Sequence, residues 1–149
     1  MIESLYAEYF DQRFETLTLD QFETFVIYTP PLMVVACDQV VDKDEEGYVR
    51  YYAEFLARTF KNSIPDEEKR KEFQFHLEAE MFFLLKYMSD WEGQFLEGVS
   101  FLLDEEPSLK SVIQELLTLF AESSDGISTP ERKKIQEINA YLQTEKKLE

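Results

Sequence analysis

The sequence predicts an all-α chain: a single-domain bundle of about seven to eight helices, with two pseudo-repeated helix–turn–helix units. Three observations lead there. Apolar residues recur at three- and four-residue intervals, as in Val49, Tyr52, Ala53 and Leu56, the spacing that lines one face of a helix. Thr18/Gln21, Asp42/Glu45, Ser89/Glu92 and Ser128/Glu131 have the spacing of capping boxes, in which each side chain satisfies an orphan backbone N–H. Only 4 Gly and 5 Pro punctuate the 149 residues, too few for the tight turns of a sandwich or barrel.

Leu5, Tyr9, Phe10 and Phe14 set a short first helix. A second starts at Thr18, or at Asp20 with Glu23, and presents Phe22, Phe25 and Val26. Pro30 and Pro31 end it because they lack the N–H that a helix interior needs. The same prolines open a third helix, capped by Thr29, with Leu32, Val35 and Ala36 on one side. Reading Val34-Val35 and Val40-Val41 as strand would leave edges with nothing to pair them. Asp42 caps a fourth helix running through Val49, Tyr52, Ala53, Leu56 and Phe60. After the turn Asn62-Ser63-Ile64-Pro65, a long fifth helix begins with Asp66-Glu67-Glu68, whose charges oppose the positive end of the helix dipole. From Met81 to Met88 it is apolar nearly all round except for Lys86, which predicts the central helix of the bundle. Ser89 starts a sixth helix with Trp91, Phe95, Val99, Leu102 and Leu103. Asp104-Glu105-Glu106 and Pro107 separate it from a seventh, with Leu109, Val112, Ile113, Leu116 and Phe120. Ser123-Ser124-Asp125-Gly126 is a turn in which Gly126 supplies a positive φ. Ser128 caps the last helix, and the tail from Thr144 is expected to fray.

A chain of 149 residues is long enough for one domain with its own core. Asp+Glu 31 against Lys+Arg 15 gives a formal charge of −16. That makes nucleic-acid backbones and anionic membranes poor partners and favours cations or the basic faces of proteins. The single Cys, Cys37, forms no intramolecular disulfide and suits a reducing compartment. Charges interrupt every apolar run, so no membrane insertion is expected, and Met1–Phe14 lacks the basic-then-apolar pattern of a signal peptide. The expected location is cytoplasmic.

The chain also repeats itself. One constant offset carries Glu45 onto Glu131, Val49 onto Ile135, Tyr52 onto Ile138 and Leu56 onto Leu142, while Asp42 falls on Ser128. The two bends read Ala36-Cys37-Asp38-Gln39-Val40-Val41-Asp42-Lys43-Asp44-Glu45 and Ser124-Asp125-Gly126-Ile127-Ser128-Thr129-Pro130-Glu131. This pattern resembles the TerB-like helical domain family of tellurite-resistance proteins, whose segments look like Ala-Asp-Gly-x-x-Ser/Asp-x-x-Glu. The first bend departs in having Gln39 where the family favours glycine, and the second in having Ser123-Ser124 where it favours alanines. The resemblance implies a TerB-like core over residues 29–143 with a helical extension at 1–28. It also implies a link to tellurite and other stress responses, and acidic clusters proposed to take metal ions.

Asp38, Asp42, Asp44 and Glu45, with Asp125 and Glu131 from the second bend, are the candidate ligands for a divalent cation, since hard cations need several converging oxygens. The pattern is not an EF-hand, because Ala53 stands at the twelfth position from Asp42, where the bidentate Glu belongs. The alternative is that Asp38 and Asp125 bond backbone N–H groups in their turns, Asp42 and Ser128 cap helices, and the other acids face water. Glu72, His76 and Glu80 share one helix face, but with a single His the di-iron bundle pattern is excluded. A His–Glu hydrogen bond at a core edge is the expectation there. No phosphate loop or nucleophile elbow is present. These residues point to a non-enzymatic binding or adaptor module with a protein partner that carries a basic face. The alternatives are a metal-dependent enzyme at the acidic bend, or a structural subunit using Tyr6, Tyr9 and Phe14 as its interface.

Overall fold

The computed structural model describes residues 1–37, 43–123 and 127–147, with side chains except at 43, 44, 123 and 143–147. Among the described residues there are eight helices and no strand, as the periodicity requires. Helix α1 (Ile2–Tyr9) buries Ile2, Leu5 and Tyr9. It stops short of the expected face, because Gln12 takes a φ of 61° and Phe14 is 91% exposed. The reversal swings Arg13 inward to a buried carboxylate, described below, and that contact replaces the turn of helix that Phe14 would have closed. Thr18 begins α2 (Leu19–Ile27) with a complete capping box, and Asp20 lies inside the first turn. Thr29 sits at the N-cap of α3 (Pro30–Ala36), yet its hydroxyl donates to the Val26 carbonyl at 2.6 Å rather than capping α3.

Helix α4 (Lys43–Arg58) turns Val49, Tyr52, Ala53 and Leu56 inward. Phe60 lies beyond its end and packs edge-on against Phe73 at 4.9 Å. The Asp66 side chain caps α5 (Glu67–Lys86) by accepting from the Glu68 N–H at 2.9 Å. Only Tyr87 separates α5 from α6 (Met88–Glu105). Its N–H bonds back to the Phe83 and Leu84 carbonyls, so Ser89 lies within α6 and does not cap it, and Glu92 is released for an ion pair. Helix α7 (Leu109–Ser123) leads to α8 (Thr129–Lys147), which stays helical past Thr144. Glu and Lys are good helix formers there.

The most enclosed helix is α3, not the expected apolar run of α5. Leu32, Met33, Val34 and Val35 are all fully buried, and α5, α6, α7 and α8 pack around them. A helix of Pro-Pro-Leu-Met-Val-Val-Ala carries no side chain that needs water, so every side can be covered. In α5, Phe82 and Phe83 are half-buried and Lys86 faces outward, as does Tyr87 just past its end. Matched positions of the two halves point inward: Val49, Tyr52 and Leu56 in α4, and Ile138 and Leu142 in α8, with Ile135 half-buried against the core. No helix among the described residues is long and apolar enough to cross a membrane.

Candidate functional site

Of the six acidic residues expected to hold a cation, Asp38, Asp42 and Asp125 lie outside the described residues. Asp44 is in the first turn of α4, its side chain not among those described, and Glu45 is half-buried one residue on. Glu131 is 7% exposed. One of its carboxylate oxygens accepts from the Ser128 N–H at 2.8 Å while the Ser128 hydroxyl accepts from the Glu131 N–H at 3.2 Å. Glu131 thus closes the capping box expected at the start of α8. Among the described residues no group of three or more His, Cys, Asp or Glu is placed to hold a metal ion.

The Glu72–His76–Glu80 face does not act as one unit. Glu72 is exposed and His76 half-buried, whereas Glu80 is 2% exposed. Its oxygens accept from Arg13 Nη2 at 2.8 and 3.0 Å and from the Thr16 hydroxyl at 2.8 Å. The guanidinium also lies 3.6 Å from the centre of the Phe83 ring, where the ring quadrupole attracts a cation. Tyr9 stands beside this pair at 1% exposure, its hydroxyl donating to the Glu80 carbonyl at 3.4 Å. Burial, then the Glu80 charge, pushes its phenol well above the ordinary range. Tyr9 is therefore no interface residue. Tyr6 is occupied too, donating to the Leu17 carbonyl at 2.7 Å and to Glu15 at 3.0 Å. Of the three aromatics expected to form an interface, only Phe14 is exposed.

Two hollows remain. The larger, about 730 Å³, is walled by Met33, Phe82, Leu85 and Met88 and edged by Cys37, Lys86, Ser89, Glu92 and Lys134. Lys134 donates to both Glu92 oxygens at 3.0 and 3.2 Å and lies 3.6 Å from Glu137. Burial lowers its proton affinity, but the Glu92 hydrogen bond and charge, with Glu137, more than offset that and raise it. The pair ties α6 to α8, so these two opposite charges at the cleft already answer each other within the fold.

The smaller hollow, about 250 Å³, is a groove between α4 and α7 lined by Tyr48, Tyr51, Tyr52, Phe55, Leu119 and Glu122. Tyr48 and Tyr52 stack at 5.3 Å with 17° between their planes, and Tyr48 meets Phe120 edge-on at 5.2 Å. Tyr52 donates its hydroxyl to the Tyr28 carbonyl at 2.8 Å. The Tyr48 hydroxyl, by contrast, is shut off from water and has no hydrogen-bond partner among the described residues. Tyr51 and Leu119 stand 59% and 47% exposed at the rim. Helical spacing puts Tyr48, Tyr51, Tyr52 and Phe55 along one side of α4, a signal present in the sequence. Nothing in the sequence says that Leu119 and Glu122 lie opposite them.

No family model, curated protein or solved structure matches this chain.

Proposed function

We propose that this chain is a non-enzymatic binding module of the TerB-like type, an adaptor whose partner is the basic face of another protein. The observation that carries the reading is the charge. A bundle whose core takes up its apolar residues bears a formal −16, and its acids stand mostly exposed on helix surfaces. Such a surface speeds encounter with a basic partner and repels nucleic acid and anionic lipid. The matched inward positions of α4 and α8 support the TerB-like type. That resemblance brings a tellurite or general stress response as the setting, and the single cysteine suits the cytoplasm. A divalent cation at the acidic bends belongs to the same proposal.

Titration of the full chain with a synthetic amphipathic peptide of leucine and arginine tests the adaptor reading against a leucine–glutamate counterpart. The basic peptide is expected to bind, with affinity that falls as salt screens the charges. Equal binding of both peptides, or none of the basic one at low ionic strength, refutes the reading.

A further inference from the structure

We propose that the aromatic groove between α4 and α7 is where the partner docks, seating one arginine or lysine, flanked by apolar residues, against the rings of Tyr48, Tyr51 and Phe55 beside Glu122. This rests on the adaptor reading and names the surface and anchor that it leaves open. The hollow of about 250 Å³ falls below the range of roughly 300–1,000 Å³ of sites that enclose small molecules, and suits one long side chain. Tyrosine and phenylalanine rings line it; such rings attract cations, and the planar guanidinium stacks on them as well. Glu122 supplies an opposing carboxylate at the edge, and the chain's negative excess favours the same sign of partner.

The unpartnered Tyr48 hydroxyl adds an independent argument. It is the single buried side-chain polar atom left without a partner among the described residues, and native folds leave few such groups. A guanidinium or ammonium is rich in N–H donors and has no acceptor, so it offers this oxygen what the fold does not. The hydroxyl is closed to solvent in the unbound chain, so the ring must tilt away from Tyr52 as the cation enters. Tyr51 and Leu119, both exposed, then cover the apolar flanks of the docked segment.

The test is titration of the full chain with the leucine–arginine peptide and with a counterpart in which citrulline replaces arginine, keeping shape but not charge. Tyr51→Ala combined with Leu119→Ser is expected to weaken the arginine peptide by roughly tenfold or more. Because both residues are exposed, thermal melts should show the fold intact. Tyr48→Phe should cause a smaller loss of binding without lowering the melting temperature of the free chain, which a merely structural hydroxyl would not do. Salt-dependent binding that ignores all three substitutions overturns the groove and leaves the adaptor reading standing. Equal binding of the citrulline peptide overturns the cationic anchor, and no binding of the arginine peptide to the unaltered chain overturns both.

Discussion

Arg13 and Glu80 form a buried ion pair that is costly to break from one side. The Glu80 side chain, at 2% exposure, has its oxygens satisfied by the guanidinium and the Thr16 hydroxyl, and breaking a buried ion pair from one side carries a large desolvation cost. Arg13→Ala is therefore expected to destabilise the chain by about 3–5 kcal/mol, measured as a shift in urea midpoint. Glu80→Leu with Arg13→Met should recover much of that loss, since an apolar pair of similar size needs no compensation. An Arg13→Ala midpoint close to that of the unaltered chain would contradict the enclosure of this pair. Helical periodicity placed Glu80 beside His76, because a sequence shows which residues share a helix face. It does not show that Arg13, 67 positions earlier, turns back to meet it. The left-handed Gln12 that permits this is an ordinary residue without the glycine that would have advertised it.

Elements show how far local chemistry reaches. The capping boxes at Thr18/Gln21 and Ser128/Glu131 form as their spacing predicts, because both partners lie within one turn and need nothing from elsewhere. Ser89/Glu92 has the same spacing and does not form. Helix α6 already begins at Met88, with the Tyr87 N–H bonded back into α5 and the Asp90 N–H to the Tyr87 carbonyl, so Ser89 stands inside the helix and not at its cap. Packing between elements is a separate matter, and Gly98 of α6 is its most exacting point. A Cβ there would lie 3.1 Å from Leu5 Cδ2, 3.4 Å from Val26 Cγ1 and 3.5 Å from Ile2 Cδ1. The missing side chain is what lets α1 and α2 close on α6. Gly98→Val is expected to cost about 1–3 kcal/mol through overpacking, read as a lowered denaturation midpoint. A gain in stability would instead mean that helix propensity outweighs the clash and that α1 yields easily.

At the scale of the whole molecule, the buried tyrosines make stability depend on alkaline pH. Tyr9, Tyr48 and Tyr52 all hold their protons above the ordinary 10.0, with burial as the largest cause in each. The unfolded chain releases those protons near 10 and the folded chain only higher. The stabilisation is thus complete below about pH 10 and is lost as pH rises beyond it. Each group contributes about 1.4 kcal/mol per pH unit over that interval, so three together give roughly 4. Lys134, raised from 10.5, adds to the same slope above its own unfolded value. Denaturant midpoints taken from about pH 8 to about pH 12 should stay level and then fall steeply; a gradual decline starting well below pH 10 would contradict the enclosure of these phenols. Local pattern was enough for the all-α class, the inward faces of most helices and the negative charge, because periodicity and caps act within a few residues and charge is a simple sum; Phe14 and the end of α5 are where it misled. That α3 is the enclosed helix, that Glu80 answers to Arg13, and that α7 lies across from the tyrosines of α4 came from packing in three dimensions. Those outcomes depend on which faces meet in space, and that is settled by burying the whole set of apolar stripes at once.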